Sequence, residues 1–496
     1  MQLQNTYLGS SDIMATESRP KMKTSHLIAD IYNEMVDQKW DGEFVPKIGS
    51  KHIKLQVRRI RPVYDFFTLN IEDNKFNRKE NIQHLLDTLR NRCYFVVIKI
   101  SDDLEALDIF ERMNARGIEL NAAELLKNHL FTHQLSEEEI STDWEEIFKN
   151  SDNDLVRLLR YFYISNRGHV RKNELYKKLK TLVKDLGAKE FLARLKEFSE
   201  RYYNFTSANR KELEEYLIES ISKKTKIKEY VLGSICDSIG ALQLFKVSQY
   251  LPLVSATYDR IIRKEGTTES DMEQFARLLH ALECFHFINN AICKKPNNEI
   301  EKFYAEKSKE IAESSTSLNK LVDSVISGLT ERKEKIDSFT DNFTGLSYEP
   351  GETSFKMLYY IFDRLNNNGR RGADREKIYN TDLRISKKNF NIDHMNPKKS
   401  DLYDYANEGD REYINNIGNL MVISLHSNSR AQNIPLAQEK VEKIYKKFGL
   451  KLPLVHEFVE DFNGKDWMTR DKLFASIDER ARTLSHKAYA ETWKIA

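Results

Sequence analysis

Apolar residues recur at intervals of three and four over most of the chain, and they alternate in only a few short stretches. His26 to Val36 and Asn81 to Arg90 read as amphipathic helices. Tyr94 to Ile100 is aromatic or β-branched everywhere except Lys99 and reads as a strand. Ala106 to Phe131 reads as two helices broken at Asn114-Ala115-Arg116-Gly117. Gly117 can take the positive φ of a turn there, and Asn121 with Glu124 resembles a capping pair. From about 135 to 345 the pattern is almost wholly helical. Phe191, Leu195, Phe198 and Tyr202 form one apolar face. Phe275, Leu278, Leu279 and Leu282 form another, behind a capping box read at Ser270-Asp271-Met272-Glu273. Ser347 to Gly351 breaks the helical pattern, and Asn366 to Gly372 is a loop signal. Then come a short strand ending in Asp393-His394, a second opening at Asn419, a polar loop from His426, and a helix. Ala437, Val441, Ile444 and Tyr445 give that helix an inward face. The expectation is a mainly α chain with small α+β parts, divided at 1–134, 135–345 and 346–496.

The chain has 496 residues, 40% hydrophobic and 31% charged, which suits two or three domains rich in exposed helix. With 18 Gly and 9 Pro it is not a collagen, a sandwich or a long disordered tail. The formal net charge is +2, so any nucleic-acid contact must come from a local patch. No run approaches the roughly 18 apolar residues of a membrane span, and the N-terminus lacks a secretory pattern. These features point to the cytoplasm. Cys93, Cys236, Cys284 and Cys293 form no CxxC pair. Cys284, His286 and Cys293 sit in an apolar helical pattern and read as buried groups rather than a metal site. Lys51 to Arg61 is basic and reads as a solvated edge.

The chemistry concentrates between Asn391 and Lys440. Asp393-His394-Met395-Asn396-Pro397, then Gly418-Asn419-Leu420, then Asn428 before a helix, resemble the [D/E]-H-x-x-P, G-N-L and N pattern of the HNH (ββα-metal) nucleases. The resemblance is to the nuclease domain that ends GmrSD-type restriction proteins. Phe110-Glu111-Arg112-Met113-Asn114-Ala115-Arg116-Gly117, with Leu120 and Glu124-Leu125-Leu126-Lys127, resembles the FExxNxxGxxL…DLxK signature of the ParB/sulfiredoxin-like domain of the same proteins. That domain binds and hydrolyses nucleoside triphosphate in the family, which makes Asn114 and Arg116 nucleotide-binding candidates. Spacing alone reads them as a structural joint. The family's Asp-Gly-Gln-Gln-Arg segment has no counterpart, since Asp41-Gly42-Glu43-Phe44 shares only two residues. The expectation is therefore a truncated α/β remnant, with the missing half absent or supplied by a second polypeptide.

Phosphodiester hydrolysis needs an activated water and a counter to phosphate charge. A neutral imidazole suits proton transfer near pH 7, so His394 is the candidate base. Asp393 and Asn428 offer oxygen ligands to a divalent ion, Mg²⁺ or Mn²⁺, acting as Lewis acid. Neighbours on an extended strand point to opposite sides, so Asp393 and His394 serve one centre only if the strand end bends. The resemblance implies that Asn419 orients the loop carrying the histidine. Lys387, Lys388, Lys398 and Lys399, with Arg384, face the single acid Asp393 between 384 and 399 and can neutralise phosphates without reading sequence. Arg430 and Lys440 are further phosphate candidates. His426 reads equally as a phosphate contact or an exposed loop residue, and Asn433 as a helix cap.

The resemblance implies a metal-dependent endonuclease acting on foreign or modified DNA in anti-phage defence. The alternatives are a non-catalytic assembly or regulatory subunit of such a system, and an RNA-cleaving enzyme. The residues leave bound nucleotide and oligomeric state open.

Overall fold

The computed structural model describes residues 9–10, 19–20, 60–66, 69, 79–94, 122–131 and 133. From 137 to 495 it describes all but 223–224, 226, 265–266, 297, 371–373, 381, 432–433 and 435–436. The chain forms two compact units, 1–106 and 107–496. In the first, β1 (Gly9–Ser10) pairs antiparallel with β2 (Arg19–Pro20), residues 60–66 are helical, and α1 spans Lys79–Asn91. That last helix is the one expected at Asn81 to Arg90. The expected helix at His26 to Val36, all of the strand at Tyr94 to Ile100 but Tyr94, and most of the basic stretch at Lys51 lie outside the described residues. So do Asn114, Arg116 and Asn121.

The second unit is built almost wholly of helices: α2 (Ala122–Phe131), α3 (Glu137–Asn150), α4 (Leu155–Arg167), α5 (Leu175–Leu186), α6 (Ala188–Thr206), α7 (Arg210–Ser222), α8 (Glu229–Leu244), α9 (Leu251–Arg263), α10 (Glu269–His286), α11 (Asn298–Glu313), α12 (Leu318–Arg332) and α13 (Ile336–Thr344). Then follow α14 (Glu352–Asn366), α15 (Leu383–Asn389), β3 (Phe390–His394), α16 (Glu408–Asn415), β4 (Leu420–Ser424), α17 (Leu425–Ala431) and α18 (Ala437–Lys440). Helix α18 runs on as π-helical turns over Val441–Gly449, and α19 (Pro453–Asp461) and α20 (Arg470–Lys487) close the chain.

The apolar faces read from spacing are buried. Phe191, Leu195, Phe198 and Tyr202 of α6 face inward, and the Phe162 ring of α4 meets Phe191 and Phe198 edge-on at 5.5 Å. Phe275, Leu278, Leu279 and Leu282 line α10. Its capping box lies two residues earlier than expected. Thr268 is the N-cap, its hydroxyl accepting from Asp271 N–H while the Asp271 carboxylate accepts from Thr268 N–H. An Asp at the third helical position does the work sought in Glu273.

The compact units divide between residues 106 and 107. The core is continuous from α2 to Trp493, because the C-terminal end folds back onto the helical region. The Trp493 indole stacks on Phe287 at 3.9 Å and donates to the Tyr360 hydroxyl at 2.8 Å. Tyr360 in turn donates to Glu283 at 2.7 Å. Cys236, Cys284 and Cys293 are buried free thiols, and Cys93 is exposed. Among the described residues no helix is long and apolar enough to cross a membrane.

Candidate active site

Strands β3 and β4 pair antiparallel in an unbroken register from Phe390↔Ser424 to His394↔Leu420. Side chains alternate across such a ladder, so Asp393 and His394 leave it on opposite sides. Asp393 faces the helical segment after β4, and His394 faces the end of α16.

The Asp393 side is closed. Lys440 Nζ donates to both Asp393 carboxylate oxygens at 2.9 Å and also to the His394 carbonyl oxygen. The Tyr445 hydroxyl donates to Asp393 Oδ2 at 2.9 Å. Side-chain exposure is 3% for Lys440 and 10% for Asp393. Burial raises the Asp393 carboxyl above its ordinary value, while the Lys440 ammonium and the Tyr445 hydroxyl act against the rise. Lys440 was expected at a phosphate. It lies buried instead, because a cation at the last position of α18 is the nearest counter-charge for a carboxylate in the core. The strand end does not bend in the way one shared centre requires.

This arrangement decides the fit of a divalent ion. Both oxygens of the carboxylate assigned to the ion already carry a cation, the ammonium of Lys440. Among the described residues no group of three or more His, Cys, Asp or Glu side chains stands together to hold a metal. The backbone of Asn428 lies in α17, and its side chain is outside the described set. The donors as arranged do not fit a hard cation.

The His394 side is different. His394 Nε2 lies 3.1 Å from Asn415 Oδ1, and the imidazole meets the Tyr348 ring edge-to-face at 4.8 Å. Lys398 Nζ sits 5.2 Å from the ring centres of both Tyr348 and Tyr405. Burial lowers the His394 pKa to about 4, with smaller contributions in the same direction from Lys398 and Lys440. The imidazole is therefore neutral at pH 7 and has a lone pair available.

Asn419 is fully buried and clamps the turn after His394. Its Oδ1 accepts from the Asn396 backbone N–H at 3.0 Å and side-chain amide at 3.1 Å. Its Nδ2 donates to Asn396 O and Ile414 O, and its carbonyl accepts from Met395 N–H. Every polar group of this side chain is committed to holding the turn together. The corner beside it depends on Gly418, where a Cβ would stand 2.0 Å from the Ile477 carbonyl oxygen of α20. Arg480 of α20 donates to the Gly418 and Leu420 carbonyls at 2.8 and 2.9 Å.

The basic candidates divide by burial. Lys387, Lys388, Lys398, Lys399 and Arg430 are exposed. Lys387 lies over the Phe355 ring at 4.5 Å, and Arg430 over Phe448 at 4.6 Å, where His426 also packs. The polar loop expected from His426 is largely helical. The Ser424 hydroxyl accepts from Ser427 N–H and starts α17 directly off β4. Asn433 lies outside the described residues. Spacing read Tyr445 only as an inward-facing helix residue and missed Asn415, Tyr348 and Tyr405, since each reaches the site from a different element.

Compared with known families, residues 14–131 match the GmrSD restriction endonuclease N-terminal domain, and residues 333–484 match the GmrSD restriction endonuclease C-terminal domain. The comparison with curated proteins finds no match. The N-terminal match starts at residue 14, so that domain is present, and the expectation that only its later part is carried is corrected. A domain is specified by its pattern of buried positions along its length, which one polar string does not decide. With both domain families matched in order along one polypeptide, the chain belongs to the GmrSD restriction endonucleases.

Proposed function

We propose that this restriction endonuclease hydrolyses DNA phosphodiesters at the centre built on His394, with the imidazole taking the proton of the attacking water. The observation that carries the reading is a neutral, half-buried imidazole held by Asn415, beside the exposed ammonium of Lys398. A phosphate drawn to Lys398 would bring an anion towards His394 and raise its pKa as the proton arrives, which favours transfer. Lys387, Lys388, Lys399 and Arg430 hold the backbone of the nucleic acid through charge and carry no base recognition. The antiparallel pair β3–β4 followed by helix is the arrangement sought in an HNH nuclease and supports that class. The target is foreign DNA, with modified DNA as the variant to compare.

The test is cleavage of modified and unmodified phage DNA, and of RNA, by the full chain beside His394→Ala. General-base loss predicts a fall of about 10²- to 10⁴-fold in the variant. Cutting of RNA with DNA left intact would move the substrate to RNA. Failure to cut any nucleic acid, with nucleoside triphosphate added, would favour an assembly or regulatory subunit.

A further inference from the structure

We infer that Asn415 is a positioning residue for His394: it holds the imidazole with the proton on Nε2 and so makes Nδ1 the nitrogen that accepts the proton of the attacking water. The inference rests on the His394 reading and names the atom and the device behind it. Asn415 lies between the two motifs, in neither of them, at the last position of α16.

The argument begins with the amide. Asn415 Oδ1 accepts from the Tyr405 hydroxyl at 3.1 Å and stands 3.1 Å from His394 Nε2. An amide oxygen has two lone pairs and no proton, so the imidazole nitrogen facing it must carry the hydrogen. In neutral imidazole the other nitrogen, Nδ1, then has the lone pair. The reversed amide would offer N–H groups to both partners and impose the opposite tautomer, so the assignment has a definite alternative to be tested against.

The amide is held from both sides. The Asn415 carbonyl accepts from Tyr348 N–H at 2.7 Å, and Ile417 N–H donates to Leu346 O at 2.8 Å. Ser347 and Asn416 form an antiparallel bridge between the same two segments. Asn416 Nδ2 donates to Thr344 O at 2.7 Å while its Oδ1 accepts from Gly418 N–H at 2.8 Å. The end of α16 is thus fastened to the 344–348 segment and to the Gly418 corner. The same fastening brings the Tyr348 ring against His394. Tyr405 completes the set, since its hydroxyl fills the second lone pair of Asn415 and its ring, with that of Tyr348, supports Lys398. One amide therefore ties the base to the cation that draws in phosphate.

The experiment uses the full chain with Asn415→Leu, Asn415→Asp, Tyr405→Phe and His394→Ala. Asn415→Leu removes the acceptor and is expected to lower kcat by about 10- to 100-fold with KM nearly unchanged, the usual effect of losing an orienting partner. Asn415→Asp keeps an oxygen facing Nε2 and is expected to restore most of kcat; a reversed amide predicts no such rescue. Nitrogen NMR of ¹⁵N-histidine-labelled protein, with His394 assigned from the His394→Ala spectrum, should show the Nε2–H tautomer in the wild type and in Asn415→Asp, and a mixture in Asn415→Leu. An Nδ1–H tautomer in the wild type, or undiminished kcat in Asn415→Leu while His394→Ala is inactive, would overturn the inference. Undiminished cutting by His394→Ala would sink the underlying assignment of the base, and is read separately from the tautomer.

Discussion

His286 and His394 share a depressed pKa of about 4, caused first by burial, and differ in what burial does for them. His286 is enclosed, its ring nitrogens bonded to Asn290 at 2.5 Å and to the Tyr304 hydroxyl at 2.9 Å. It has no route to substrate, so its effect is on stability. The unfolded chain protonates this histidine near pH 6.5, and the folded chain does so only near 4. The stability it contributes is therefore complete above about pH 6.5. It is lost as pH falls towards about 4, up to roughly 3 kcal/mol. Urea midpoints measured from pH 7 to pH 4 should show this acid limb weakened in His286→Gln; an unchanged limb would refute it. Asp393 and Lys440 make the second prediction at this scale. Removing one member leaves a buried charge, so Asp393→Asn or Lys440→Met alone should cost about 3–5 kcal/mol, and the double variant should recover most of it. If Asp393 served a divalent ion instead, Mg²⁺ or Mn²⁺ would raise the wild-type Tm and leave Asp393→Asn unmoved. The geometry predicts no Asp393-dependent rise.

Elements were read with uneven success, for physical reasons. The end of β3 was legible because alternating Phe390 and Ile392 give way after His394 to Pro397, which cannot donate to a ladder. Asn419 was legible as an organiser only through the motif it resembles; it closes the 3-10 turn Ile417–Asn419 just before β4, with its amide satisfied in the core. The start of α17 was misread because a Ser-rich stretch serves equally as loop or as helix cap, and Ser424 settles it only once β4 places it. Gly418 shows what an element demands of its neighbour. It is not a turn glycine; it makes room for the backbone of α20. Gly418→Ala is expected to cost about 3 kcal/mol, the upper end for overpacking, because the atom met is main chain and cannot rotate away. Thermal denaturation of the purified variant measures it. A Tm within a degree of wild type would show that α20 yields without cost.

Across the second unit, a buried polar network joins the helical middle to the segment bearing the site. Arg364 of α14 donates to Glu283 of α10 at 2.7 Å, and Ser238 of α8 donates to the same carboxylate at 2.7 Å. Burial works to raise the Glu283 carboxyl, yet Arg364 and His280 hold it well below the usual carboxylate range. Asp237 of α8 is bridged to Arg210 and, at 2.5 Å, to Arg375. A network of this kind couples the regions it spans, since losing Arg364 takes the nearest cation from the buried Glu283 carboxylate and weakens the counter-charge at Asp237 and Asp363. Arg364→Met should therefore lower stability by about 3–5 kcal/mol and still give one cooperative transition. Denaturation followed by helical circular dichroism and by tryptophan fluorescence should give coincident curves. Separate transitions for the two probes would show two independent domains meeting near residue 345.

The sequence by itself determined that the chain is mainly helical, that its faces bury Phe191 and Phe275 and their companions, and that Asp393-His394 ends a strand. Those features are local: periodicity, capping and the order of a short motif act over a few residues. Tertiary structure alone decided the rest. Whether Asp393 faces an ion or Lys440 depends on where α18 comes to lie. Which residue steers His394 depends on how α16 ends against Tyr348. Such partners lie tens of residues apart in the chain, with no spacing rule between them, and only the packing of their helices brings them within hydrogen-bonding distance.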